Sequence, residues 1–220
     1  MGKTVRPGTL KLLKNTNCIL RIIVLFIIVA TFSSCRIISD SKLTLEQSLA
    51  GTKAPKVVSD SMILLDVKYY SFDKKLHKGQ IVINTLLKKD VKKLFSEARK
   101  IKFPINKVIP IVKYHWNDDS SMTDNNTSSF NYRLVARTNR PSNHSWGRAI
   151  DINPFTNPAV HPDGLIEPVG AKYDSEASGA LNLENKIMKL MLSLGWEWGG
   201  GANWLKIKGY QDYQHIQKLK

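Results

Sequence analysis

The chain has 220 residues, 42% hydrophobic and 23% charged, a composition that excludes a disordered polymer and suits one globular domain. Its net charge is +15, of which residues 1–36 supply six Lys/Arg and no acid, leaving 27 Lys/Arg against 18 Asp/Glu, or +9, in the rest. That charge favours polyanionic surroundings, but there is no zinc-finger spacing, aromatic RNA-binding motif or phosphate loop, so nucleic acid is set aside.

Lys3, Arg6, Lys11 and Lys14 precede the apolar run Ile22–Phe32. Eleven residues are well short of the roughly 20 needed to span a bilayer. The run fits the core of a secretion signal over residues 1–34. Ser33-Ser34-Cys35 follows, as in a bacterial lipoprotein cleavage box, with Cys35 the lipidated residue. Phe32 stands where Leu is usual. The alternative is an uncleaved signal anchor extended through Cys18–Arg21, with Cys35 incidental. Cys18 and Cys35 are the only cysteines, so the domain that follows can hold neither a disulfide nor a cysteine-ligated metal.

Residues 35–56 read as a lipidated cysteine and a polar tether, and 57–220 as the domain. Ile63–Phe72 and Gln80–Leu86 have strand composition, separated by a charged turn, Asp73–Gly79. Val91, Leu94, Phe95 and Ala98 predict an amphipathic helix over Asp90–Ile101, stopped before Pro104. Val108–Val112, Ser129–Val135 and Arg148–Ile152 read as strands. Asn117–Ser129, dense in Asp, Asn, Ser and Thr, reads as an exposed loop. Asn153–Ser178 is a long Pro- and Gly-rich loop of the kind that often serves function. Leu183, Ile187, Leu190, Met191 and Leu194 predict a second helix closed by Gly195, before short strands around the Gly199-Gly200-Gly201 turn. Helices segregated from an antiparallel sheet predict an α+β fold, a central antiparallel sheet flanked by helices.

Two stretches carry the chemistry, Ser142–Asn153 and Asp212–Gln217. Two imidazoles and a carboxylate, His144, Asp151 and His215, make a zinc site with one open position, which points to catalysis. Asp151 is a charge in an apolar strand and needs a partner if buried. In Tyr213–Gln217 a strand would put His215 and Gln217 on one face, with Asp212 at its mouth to take a proton from an acidified water. The competing reading is a set of satisfied hydrogen-bonding residues. His77, expected solvated in its turn, and His115 and His161 belong to no comparable pattern.

Ser142-x-His144-x-x-Gly147-x-Ala149-x-Asp151, Gly195-Trp-x-Trp-Gly-Gly200 and Asp212-x-x-His215, in that order, resemble the zinc D-alanyl-D-alanine carboxypeptidase family and its L-alanyl-D-glutamate peptidase relatives. The resemblance covers about Ser128 to Gln217. It implies a Hedgehog/DD-peptidase-like fold and zinc (Zn2+) on His144, Asp151 and His215. It also implies Asp212 as general base and then acid, and Arg133 as the arginine that holds substrate and oxyanion, with Arg137 and Arg140 as competitors. Ser142 and Trp204 would contact substrate, and Trp146, Trp196, Trp198 and Trp204 would wall the pocket or pack in the core. Three departures from the family pattern stand out: Tyr132 where Cys is common, an expanded Gly199–Trp204 turn, and Gln217 where an acid is common.

The expected activity is hydrolysis of peptidoglycan stem peptides by an exported, membrane-anchored zinc peptidase, facing the periplasm or outer cell envelope. Its partners would be those peptides and the membrane. The rival classes are a non-catalytic wall-binding lipoprotein on the same fold and a basic surface protein whose metal is structural.

Overall fold

In the computed structural model the chain divides into Met1–Arg36 and Ile37–Lys220. Residues 1–2, 37–135 and 138–219 are described. The expected signal segment 1–34, Cys35 and Arg137 therefore lie, apart from Met1–Gly2, outside the described residues. Among the described residues no helix is long and apolar enough to cross a membrane.

Residues 36–56 were expected as a tether, yet from Ile37 onward they are folded. β1 (Ile38–Ser39) lies parallel to β3 (Leu76–Asn84), which pairs antiparallel along its whole length with β2 (Met62–Tyr70). Helix α1 (Leu45–Leu49) begins at a capping box in which Thr44 and Gln47 satisfy each other's backbone N–H groups. Gln80 takes up Ser41 Oγ and Leu43 N, both at 2.7 Å, so the polar side chains of this stretch serve internal bonds rather than solvent. After the short helix α2 (Lys56–Ser59) the chain enters the hairpin. Gly79 lies within β3, not in the turn: a Cβ there would collide with the Val108 carbonyl.

Helix α3 (Lys88–Lys100) matches the periodicity. Val91, Leu94, Phe95 and Ala98 are buried at i, i+3, i+4 and i+7 against Leu65, Val67, Tyr69, Ile81 and Ile83. The same core continues into Ile150 and Ile216 and into Ile187, Met188 and Met191 of a later helix, so scaffold and site share one apolar interior.

Three expectations fail in the middle of the chain. The strand at 108–112 is only β4 (Lys107–Val108), because Pro110 starts a 3₁₀ turn over Ile111–Tyr114. The loop at 117–129 is instead helix α4 (Asp118–Thr123) followed by β5 (Asn126–Thr127), parallel to β4. Its polar residues act as caps and internal partners: Asn117 accepts from Ser120 N at 2.7 Å, and Asn126 Nδ2 donates to Ile109 O at 2.9 Å and Ser121 Oγ at 3.0 Å. Residues 129–135 form no strand. Phe130 and Asn131 spend their N–H groups on Val82 and on His144.

The C-terminal half is built of short pieces. β6 (Ala149–Asp151), β7 (Ala159–Val160) and β8 (Ile166–Glu167) precede helix α5 (Lys186–Ser193), which leaves Leu183 outside it. β9 (Glu197–Trp198), helix α6 (Ala202–Lys208), β10 (Gln211–Asp212) and β11 (His215–Gln217) complete the fold. The fold is α+β, but its strands divide over four small sheets, β1-β3-β2, β4-β5, β6-β11-β9 and β10-β7-β8, rather than one central sheet among the described residues. Strands of two or three residues cannot extend a sheet, and six proline or glycine residues interrupt the chain between β6 and residue 178.

Candidate metal centre

His144 sits in a 3₁₀ turn, Asn143–Trp146, capped by Ser142, whose Oγ accepts from His144 N at 3.3 Å. Gly147 ends the turn at φ 59, and a Cβ there would come within 2.7 Å of both Asn84 N and Met62 Sδ. Conformation and space both require glycine at this point. The turn is thereby seated on the end of the hairpin, with Asn84 N donating to Gly147 O at 3.0 Å.

Asp151 ends β6, and His215 begins β11 directly opposite it. Directly opposed residues of an antiparallel pair share a face, so the register alone brings these two side chains together. The three buried groups converge. Asp151 Oδ1 is 3.0 Å from His215 Nδ1, Asp151 Oδ2 is 3.1 Å from His144 Nε2, and the two imidazole nitrogens are 3.2 Å apart. One ligand atom from each lies within 4.8 Å of the others, so the group could hold a metal ion.

The outer bonds fix which nitrogens face inward. His144 Nδ1–H donates to Ser129 O at 2.6 Å, and His215 Nε2–H to Gln217 Oε1 at 3.1 Å. His144 Nε2 and His215 Nδ1 are then left pointing at each other with no carbonyl between them, which calls for a proton or a cation. Tetrahedral zinc ligands at 2.0–2.1 Å stand about 3.3 Å apart, close to these separations. The donor set fits the ion.

Charge follows the same logic. Burial raises the Asp151 carboxyl, but His144 and His215 outweigh it and hold Asp151 well below the usual carboxylate range. Burial disfavours the His215 imidazolium, yet the Asp151 carboxylate lifts it to about 9. Burial pushes Asp212 up, with Asp151 adding and His215 opposing.

All three residues line a cavity of about 470 Å³ that also receives Asp212, Arg133, Ser142 and Trp204. Asp212 is held by β10 pairing with β7, and its Oδ1 is buried without a partner among the described residues. The backbone of Arg133 is clamped to the His144 turn: its N–H donates to Ser145 Oγ at 2.9 Å, and its carbonyl accepts from that hydroxyl at 2.6 Å. Its guanidinium meets Asp118 at 2.6 Å, while its Nε–H is buried without a partner among the described residues.

The expanded turn after Gly199 folds into α6, and α6 delivers Trp204 to the cavity wall, its ring 5.2 Å from that of His215. The other tryptophans do not line it: Trp196 and Trp198 are core residues, and Trp146 is exposed. Tyr132 packs against Val58, Met62, Val82 and Phe130 rather than in the site.

Some residues go against the expectation. His77 is nearly buried, not solvated, between Asp40 at 3.0 Å and Asp73 at 3.3 Å. His161 lines the cavity, bonded to Glu167 Oε2 at 2.9 Å and stacked on Tyr210. Neither a ligand spacing nor a motif marks His161 and Glu167 in the sequence. The β7–β8 hairpin inside the long loop brings them there. Arg140 also lines the cavity, whereas His115 does not.

Residues 136–218 match the family model described as D-alanyl-D-alanine carboxypeptidase. Over that segment the chain is similar to this peptidase family. The matched segment contains His144, Asp151, Trp204, Asp212 and His215, and it starts after Arg133, whose placement comes from the structure. Neither the curated proteins nor the solved structures give a match to the chain.

Proposed function

We propose that this chain is a zinc-dependent peptidase that hydrolyses peptidoglycan stem peptides, of D-alanyl-D-alanine carboxypeptidase or L-alanyl-D-glutamate endopeptidase type. The observation that carries the reading is the buried His144–Asp151–His215 group opening on a cavity that also holds an unpartnered carboxylate oxygen of Asp212. When bound, zinc would supply a Lewis acid that polarises the scissile carbonyl and acidifies a water. Asp212 Oδ1 takes that proton and returns it to the leaving amine; burial makes it a stronger base than a surface carboxylate. The Arg133 guanidinium offers its Nε–H, unpartnered among the described residues, to the oxygen on which negative charge develops. Ser142 and Trp204 contact the peptide from the cavity wall. Under the same reading residues 1–34 direct export. Cys35 carries the lipid that holds the enzyme to the membrane on the periplasmic or outer-envelope side.

The test is release of defined products from muropeptides by the zinc-loaded full chain, followed by mass spectrometry. Asp212→Ala should keep its zinc and lose activity by roughly a hundredfold to ten-thousandfold. Unchanged turnover would remove Asp212 from the role of base. Binding of sacculi without product under every metal condition would leave only a binding protein.

A further inference from the structure

A second groove, of about 640 Å³, lies away from the metal centre, walled by β1, β2, β3 and α3. Lys42, Lys68, Lys78, Lys92 and Arg99 line it, against the single carboxylate of Asp66. Asp66 pairs with Lys78 at 2.7 Å. Among the described residues, no carboxylate lies within ion-pair distance of the other four cations. Lys92, Ser96 and Arg99 follow one another at i, i+4 and i+7 along one face of α3. Across the hairpin Lys68 stands directly opposite Lys78, a like-charge pairing that costs stability in an antiparallel sheet. Among the described residues no carboxylate within ion-pair distance of Lys68 offsets that cost. An anion in the groove would.

We propose that this groove binds the phosphodiester headgroups of anionic phospholipids at the membrane surface. The choice of occupant rests on the anchoring proposed above. Ile37 is part of the groove wall and follows Cys35 by two residues, so even a fully extended backbone puts them within about 7 Å. If Cys35 carries a lipid, the groove stands at headgroup level, inside the Debye length of roughly 10 Å over which surface charge is felt. Each groove cation near such a surface adds to the attraction, and the carboxylates of the metal cavity are kept elsewhere.

Hydrogen–deuterium exchange of the full chain in nanodiscs tests this, comparing phosphatidylcholine alone with a mixture holding about one third phosphatidylglycerol. Exchange in residues 62–70 and 88–100 should slow by about fivefold or more in the anionic discs, and the slowing should vanish at about 0.5 M salt. It should also vanish in Lys68→Gln/Lys92→Gln/Arg99→Gln. Equal exchange in both discs, or slowing that survives in the triple variant, overturns the proposal. If α5 also exchanges faster in the triple variant, its fold has loosened, and Lys68→Gln alone decides by the same criterion. Slowing produced by inorganic phosphate without discs, at matched ionic strength, assigns the groove to free phosphate and overturns the lipid proposal. A chain that leaves phosphatidylcholine discs removes the anchoring instead. Flotation with anionic vesicles, again sensitive to salt and to the triple variant, then supports the groove, and its absence overturns it.

Discussion

In residues 62–100, two nine-residue strands and a thirteen-residue helix bury Leu65, Ile81, Ile83, Leu94 and Phe95, and backbone ladders carry most of the order. In residues 128–217 the strands are two or three residues long, and Ser129, Asn131, His144, Asp151, Asn153 and Asn157 are buried. There, side-chain to backbone bonds replace the missing ladders: Asn153 Nδ2 alone ties Pro104 O at 2.9 Å to Gly179 O at 3.1 Å. The first region rests mainly on apolar burial, with Ile81 and Ile83 in the core shared with α3 and Val82 packed with Val58, Met62 and Phe130 on the other face of β3. The second spends its buried polar groups on aiming ligands, and each of them loses a partner when a neighbour is truncated.

The sharpest way to break this contrast is to remove one member of each region. Arg133→Ala takes away a guanidinium in the cavity, and kcat should fall by roughly a hundredfold to a thousandfold while the melting temperature stays close to that of the parent. Steady-state kinetics and calorimetry on the same preparation check both halves. Leu94→Ala should do the reverse. Leu94 is fully buried between α3 and the hairpin, so its truncation should cost about 2–5 kcal/mol of stability in denaturant titration. The zinc stoichiometry of the folded fraction should be unchanged. A Leu94→Ala protein of parental stability would mean that the hairpin–helix unit is not the scaffold of the site.

The same contrast explains what the sequence makes legible. The 3.6-residue period at Val91, Leu94, Phe95 and Ala98 and the motif spacing of His144, Asp151, Asp212 and His215 are local patterns, and both survive in the fold. Asn126 looks like a loop residue because its partner Ile109 O lies 17 positions away, whereas Asn117 caps the helix through the local Ser120 N, a bond that the polar composition of the stretch obscures. Residues 37–56 look like a tether for the same reason, since Gln80, which satisfies Ser41 and Leu43, is 37 or more positions away. His161 enters the cavity through a hairpin too short to leave a strand pattern.

Gln217 refines the comparison with a smaller effect. Its Oε1 accepts from His215 Nε2 at 3.1 Å and from Asn143 Nδ2 at 2.6 Å, and its Nε2 donates to Glu197 at 2.8 Å. An acid here, common in the family, would face Glu197 with like charge. The amide lets one residue serve an imidazole and a carboxylate at once. Gln217→Leu frees the His215 ring and should weaken zinc binding by roughly tenfold to a hundredfold in competition with a chelator. An unchanged affinity would mean that β11 alone orients His215.

The last difference is in protons. The scaffold holds apolar atoms, whose contribution does not titrate, whereas the metal-free site stores a charge on His215. With its pKa raised to about 9 by Asp151, the imidazolium stabilises the metal-free fold fully below the unfolded value near 6.5. That contribution is lost as pH rises through about 9. Nδ1 is the nitrogen that would face a bound ion, so at neutral pH it must give up its proton before it can bind one. Zinc uptake at pH 7 should therefore release about one proton from this ring, and uptake above pH 9 should release close to none from it. Calorimetry in buffers of different ionisation enthalpy counts the protons. Gln217→Leu removes a partner of the imidazolium and should shift the release to lower pH, whereas Leu94→Ala should leave the profile in place. A profile that moved with Leu94 and not with Gln217 would place control of the site's charge in the apolar core rather than in the bonds around the ring.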